Sequence, residues 1–308
     1  RYSEQTMEQS SMIFCWGSDD EEALKQNYPK HSSKIIKTGS PRVDMWRSSL
    51  SDYWGVPSSQ TSKKPFLLIS SNMGFSNGVI PFHEMIKIHK DAGYYQRQPE
   101  LVDFHFNYTA ENYLTTKEFI KAIKYISENN NGYDVVLRPH PEENVEIWKT
   151  FLDGIPNVHV IREDSITAWI NNAFAVMHNG CTTAFEATIT GKPLLTYVPY
   201  VQKYGNELPN KLGYYVQTPD ELLNKNIAED ERIHWVGMEA LHRLSIASAK
   251  EIKNFWDTLT IKEVNNWIKK NSDNLIEIEW ENNEREHVKS FATLDIKDRL
   301  SKIKNPNL

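Results

Sequence analysis

Apolar residues gather along the chain into short runs that stop abruptly at Gly, Pro, Asn or Ser. Met12 to Trp16 ends at Gly17, Lys34 to Gly39 runs into Ser40-Pro41, and Pro65 to Ile69 opens into Ser70-Ser71-Asn72-Met73-Gly74. Further runs follow at Tyr133–Leu137, Val158–Ile161, Ala173–Met177, Pro193–Tyr197 and Tyr214–Val216. Runs of this length, bounded by turn formers, predict buried strands. Between them the apolar spacing is helical: Phe119, Ile120, Ile123 and Ile126 within Tyr113–Asn129, then Glu143–Leu152, Ser165–Asn171, and Thr182–Thr190 closed by Gly191. Strand and helix alternating in this way predict an α/β fold with a mostly parallel sheet and right-handed crossovers.

The same pattern divides the chain. A polar, loosely helical start to about Ser11 precedes strand, helix, strand and a Gly39–Asp44 turn, which is too little for a sheet of its own. Ser18 can cap the helix, and Asp19, Asp20, Glu21 and Glu22 suit its positive end better than they suit a catalytic carboxylate pair. Residues 1–48 therefore look like the last part of an N-terminal domain, and 49–64, rich in Ser, Pro and Lys, a linker. Residues 65–232 hold the alternating strands and helices. Residues 233–308 are expected to form helices, at Ile233–Leu259 and Ile261–Lys270, and a charged helical tail beyond Asn271.

Composition narrows the function classes. A net charge of −6 over 308 residues gives no global basic field for nucleic acid. No apolar run approaches the ~18 residues that a membrane-spanning helix needs. Cys15 and Cys181 are too few and too far apart for a disulfide framework or a metal pattern, which suits a reducing cytoplasm. His83 and His89 have no metal-like partners, so neither a metal nor a cofactor is expected.

The candidate chemistry sits where strands end. His140 lies between Pro139 and Pro141 directly after a strand, and the two prolines forbid helix and fix the backbone there. An imidazole held in that way can donate to a phosphate or protonate a leaving group, a reading that outweighs that of a structural turn residue because His-Pro after a buried strand rarely helps packing. Arg138 could neutralise a phosphate or point across the sheet. After the Ala173–Met177 strand, Asn179-Gly180-Cys181-Thr182-Thr183 leads into a helix whose free N–H groups favour an anion. Gly180 permits close backbone approach, Thr182 and Thr183 add hydroxyls, and Glu186 lies one turn on, where it could take ribose hydroxyls. Thr183-x-x-Glu186 is equally a capping box. The Ser70–Gly78 loop is a weaker phosphate candidate, since it carries neither a GxGxxG nor a P-loop pattern. His178 could face cleft or core, and Cys181 reads as a packing residue.

Taken together, several segments resemble bacterial surface carbohydrate biosynthesis proteins of the GT-B glycosyltransferase superfamily. They are Arg138-Pro139-His140-Pro141-Glu142, Asp164-Ser165-Ile166 with Trp169, His178 to Ala187, Gly191-Lys192-Pro193, Gly39 to Asp44, and Leu68 to Asn72. Capsule Kdo transferases, bacterial sialyltransferases and CDP-glycerol glycerophosphotransferases share the pattern. The resemblance implies a GT-B Rossmann-like sheet flanked by helices, mostly the C-terminal half, with a remnant of the N-terminal domain. It implies sugar transfer from a CMP- or CDP-linked donor to a carbohydrate or lipid-linked carbohydrate acceptor. It also implies a cytoplasmic protein, associated peripherally with inner-membrane polysaccharide machinery. His140 would contact the donor phosphate and assist leaving-group departure. Arg138, Asn179, Gly180, Thr182 and Thr183 would lie at the nucleotide phosphate and Glu186 at the ribose. The base would come from the N-terminal acceptor domain. A UDP-sugar 2-epimerase-like isomerase and a non-catalytic nucleotide-binding module are the alternatives.

Overall fold

The computed structural model describes residues 3–60, 63–130, 132–200, 203–204, 209–224 and 258–271. Two compact units divide the chain: residues 1–55 with 242–308, and residues 56–241.

In the first unit, β1 (Ile13–Cys15) and β2 (Ile35–Lys37) pair in parallel. Met7, Ile13, Cys15 and Ile35 form a small core beneath them, with Leu24 and Tyr28 packed against it. Ser18 is not a cap. The Ser18–Asn27 helix begins after Gly17 with no side-chain cap, and the Ser18 hydroxyl accepts a 2.8 Å bond from the Lys37 ammonium. The expected Gly39–Asp44 turn instead contains a short helix, Pro41–Met45, because the Ser40 hydroxyl accepts the Arg42 N–H and Pro41 starts with its φ already helical. The Leu259–Asn271 helix returns to this unit: Leu259 packs on Leu50, and the Thr260 hydroxyl donates to the Gly39 carbonyl at 3.2 Å. Most of the expected 233–259 helix and the tail beyond Asn271 lie outside the described residues.

The second unit is built on β3 (Phe66–Ser70), β4 (Asp134–Arg138), β5 (Val158–Val160), β6 (Ala175–His178), β7 (Leu194–Tyr197) and β8 (Tyr214–Val216). All six pair in parallel in the order β5-β4-β3-β6-β7-β8. Both faces are covered, which is why the strands are apolar runs rather than alternating ones. On one face Leu67, Ile69, Val135, Leu137, Ala175 and Met177 pack against Phe119, Ile123 and Ile126 of a long helix, Leu101–Asn129, and against Trp148. On the other, Phe66 meets the buried Trp169 edge-on at 5.5 Å.

The long helix starts twelve residues before the expected Tyr113, and the Gly74–Asn77, Phe82–Asp91 and Tyr94–Arg97 helices precede it. Its first half buries His105, Thr109, Asn112, Thr115 and Thr116, so no apolar stripe marks it. Hydroxyl back-bonding stands in for that stripe: Thr109 donates to the His105 carbonyl at 2.7 Å and Thr116 to that of Asn112 at 2.8 Å.

Trp169 is the keystone of the second face. Its indole N–H donates to the Glu163 carbonyl at 3.1 Å, and the Arg138 guanidinium lies 5.7 Å above its ring. Trp169→Ala should cost about 3–5 kcal/mol. Urea unfolding followed by circular dichroism checks this, with the midpoint lowered at unchanged slope. A loss below ~1 kcal/mol would show that the ring is not a core element.

Candidate functional site

The sheet order reverses between β3 and β6, and in doubly wound sheets ligands bind outside the carboxyl ends of the strands at such a reversal. Ser70 is in register with both Arg138 and His178, and His178 with Thr196. His140, Asn72 and Gly180 therefore stand at equivalent places, two residues beyond that row. Strand spacing separates the His140 and Gly180 backbones by roughly 10 Å, a span that a nucleotide sugar can bridge.

Hydrogen bonds knit the loops after β3 and β6 together. The Asn72 amide donates to the Gly180 carbonyl at 3.0 Å, and Ser70 Oγ lies 3.0 Å from Thr183 Oγ1 and 3.3 Å from Cys181 Sγ. Gly180 has φ +62°, a left-handed conformation that glycine adopts without strain. Its N–H donates to the Asn210 side chain at 2.7 Å, and the Asn179 amide donates to the Tyr197 carbonyl at 2.7 Å. These two bonds tie β6 to the segments around β7.

The Thr183–Thr190 helix begins after Thr182, which is exposed and makes no side-chain cap bond. The capping-box reading fails, because the Thr183 hydroxyl turns to Ser70 and Cys181 instead. Glu186 is buried at 3% exposure on the first turn of this helix. The exposed Thr182 hydroxyl and the positive end of the helix dipole are what this strand end offers an anion, since the Ala184 and Phe185 N–H groups already donate to the Cys181 and Thr182 carbonyls at 3.1 Å.

His140 is half-buried. Its Nδ1 accepts the Glu142 backbone N–H at 3.2 Å, which leaves the proton of the neutral ring on Nε2. The exposed Glu142 carboxylate is 3.9 Å from the same Nδ1.

Arg138 has a different task from the expected phosphate contact. It is 8% exposed, and its guanidinium donates to the carbonyls of Glu163, Arg162 and Asp164, the last two at 3.1 and 2.9 Å. Burial lowers its pKa to about 10 against the pull of Asp164 and Glu163, so it remains a cation that clamps the 162–164 loop. Asp164, at φ +64°, in turn accepts from the Ser59 N–H and hydroxyl at 2.9 and 2.6 Å. His178 faces the core. Fully buried, its Nε2 lies 2.9 Å from Thr196 Oγ1, whose own proton goes to the Leu212 carbonyl.

One residue at the centre of this arrangement gives no signal in the sequence. Glu143 has 0% exposure, and its carboxylate accepts four bonds. Oε1 takes the Met73 N–H at 2.8 Å and the His140 N–H at 3.4 Å; Oε2 takes the Ser71 hydroxyl at 2.9 Å and the Trp148 indole N–H at 2.6 Å. Burial raises its pKa, while the four donors favour the ionised form and pull it back. Three of its partners belong to the loops that follow β3 and β4. A glutamate after His-Pro is the only sequence trace, and Glu142 shares it.

Among the described residues no cluster of three or more His, Cys, Asp or Glu is placed to hold a metal ion, and no helix is long and apolar enough to cross a membrane.

No protein-family profile and no curated protein matches the sequence. Solved structures match in fold. A UDP-N-acetylglucosamine 2-epimerase gives a TM-score of 0.50 at 12% identity, over 90% of this chain and 62% of its own. The chain has a GT-B Rossmann-like fold. The wall teichoic acid polymerase TagF gives 0.48 at 12% identity, over 96% of this chain and 59% of that one. MnaA of S. aureus with UDP gives 0.47 at 14%, over 88% and 62%. This chain thus spans about three fifths of the length of each, and at such identity the likeness concerns the fold alone.

His178 supplies a check on this site's interior. Burial drives its pKa down to about 3, below the ~6.5 of an unfolded histidine, so its contribution is intact above pH ~6.5 and is lost as pH falls towards 3. The unfolded chain takes up a proton that the folded chain refuses. In that window His178→Gln, which can still donate to Thr196, should flatten unfolding free energy against pH by about 1 kcal/mol per pH unit. Equal slopes in the two proteins, measured by urea unfolding from pH 7 to 4, would count against a neutral buried ring.

Proposed function

We propose that this chain carries the donor-binding half of a nucleotide-sugar-dependent glycosyltransferase of surface polysaccharide synthesis. CMP- or CDP-linked sugars are the favoured donors and a carbohydrate or lipid-linked carbohydrate the acceptor. One observation carries the reading: at the sheet's reversal, His140 and the Gly180–Thr182 turn into the helix stand in register on either side of the Asn72 loop. In the reaction the bond from the sugar's anomeric carbon to the donor phosphate breaks, and the acceptor oxygen forms a new one. Negative charge gathers on the leaving phosphate. The Nε2–H of His140 and the Thr182 hydroxyl are the groups suited to receive it as donors, with the positive end of the helix dipole behind them. Asn179, Gly180 and Thr183 hold the shape of that loop, and Glu186 on the next turn is proposed for the ribose. The base that takes the acceptor proton belongs, on this proposal, to the acceptor domain.

A UDP-sugar 2-epimerase reaction is the second reading, because the fold match at TM-score 0.50 is to such an enzyme. The two separate readily. Incubation with UDP-N-acetylglucosamine in deuterated water should leave the C2 proton in place if the protein is a transferase, and exchange it if the protein is an epimerase.

Calorimetry with CMP, CDP and UDP tests the donor site directly. Cytidine nucleotides should bind, and His140→Ala should weaken them about tenfold, ~1.4 kcal/mol, with the melting temperature unchanged. Absence of binding by all three would remove the donor-site reading. Unchanged affinity in the variant would return His140 to a structural role.

A further inference from the structure

We propose that Glu143 is a positioning residue, whose buried carboxylate sets the imidazole of His140 and the β3 loop at the spacing the ligand requires. The role rests on the donor-site reading above for its ligand, but not for its geometry. Oε1 receives two backbone N–H groups from different loops, that of His140 after β4 and that of Met73 after β3. One oxygen thus ties the loop after β4 to the loop after β3. From the His140 end the chain turns back so that the Glu142 N–H reaches the ring Nδ1 at 3.2 Å. Nδ1 is held as an acceptor, and the Nε2 proton is left for whatever occupies the cleft. Oε2 anchors the carboxylate from behind, through Ser71 and Trp148.

The loops have a second tie that does not involve this side chain. Gly78 and Glu143 form an isolated antiparallel bridge, the Val79 N–H donates to the Glu142 carbonyl at 2.7 Å, and the Asn144 N–H to that of Asn77 at 2.7 Å. Removing the carboxylate therefore leaves the two segments paired through the backbone. What it removes is the fine placement of His140 and Met73.

The test compares Glu143→Ala with Glu143→Gln and Trp148→Phe. The glutamine keeps one acceptor oxygen for the two amides; the phenylalanine removes an Oε2 donor and touches neither amide. Hydrogen exchange of the His140, Met73 and Glu142 amides, followed by nitrogen-15 NMR without ligand, reads the geometry. The Glu142 amide reports on the imidazole itself. Exchange at all three should quicken about tenfold in Glu143→Ala, less in Glu143→Gln, and not in Trp148→Phe even where its overall stability has fallen as far. Equal quickening in Trp148→Phe, or none in folded Glu143→Ala, would overturn the proposal. Should Glu143→Ala not fold, Glu143→Asp, one methylene too short to reach all four partners, takes its place under the same criteria.

Calorimetry with CDP adds the functional arm. Glu143→Ala should lose about tenfold in affinity, and lose no more on top of His140→Ala than His140→Ala loses alone, because both act through one group. If the wild-type protein binds no CDP, the donor-site reading falls and the exchange experiment still decides the role of Glu143. If it binds and the two losses simply multiply, Glu143 acts on stability and not through His140.

Discussion

A carboxylate sealed in a protein interior is tolerable only when every lone pair it presents is met, and that requirement governs the loops after β3 and β4 in this molecule. Leaving Glu143 short of a donor would cost more than an ordinary hydrogen bond contributes, because the desolvated charge would stand uncompensated. Its four donors come from the loop after β3, the loop after β4 and the helix beyond. Each of those segments is therefore held by a penalty for moving as well as by a gain for staying. A hydrophobic residue of the same volume could fill the space, but it could not specify where two backbone N–H groups end. The charge favours definition over raw stability.

A similar division holds on the far side of β4. Arg138 and His140 are two residues apart and would each suit a phosphate, yet the structure buries the first and leaves the second half-buried. Arg138 is drawn under the 162–164 loop, where three carbonyls and the Trp169 face accept its guanidinium. Through Asp164 that clamp continues to Ser58 and Ser59, so the segment entering this unit is fastened by the same charge that frames the strand end. His140, between Pro139 and Pro141, stays half-buried and takes the Glu142 N–H instead.

The strands and their ends were legible in the sequence because a parallel sheet covered on both faces leaves continuous apolar runs with abrupt polar stops. Other features were not legible, for identifiable reasons. The first half of the long helix escaped because it buries His, Thr and Asn, with Thr109 and Thr116 bonded to carbonyls of the helix itself, Thr116 also to the Ser76 hydroxyl, and His105 to that of Tyr95. Ser18 and Thr183 both looked like caps, but longer-range partners claimed their hydroxyls: Lys37 for the first, Ser70 and Cys181 for the second. Local propensity proposes such bonds, and tertiary contacts settle them.

Glu142 and Glu143 show where that limit lies. Adjacent, chemically identical and both following His140-Pro141, they differ only in the direction a tight turn gives them. The side chain of one is 83% exposed, whereas the other is fully enclosed. The turn's direction is set by the His140-to-Glu143 backbone bond at 2.8 Å and by the bridge to Gly78, a glycine whose Cβ would stand 2.4 Å from the Gly74 carbonyl oxygen. No periodicity within the Arg138–Glu143 segment encodes that choice, because the determinant lies some sixty-five residues upstream, in the loop that follows β3. The strand end is legible in the sequence; which glutamate is enclosed behind it is decided by the loop of the neighbouring strand.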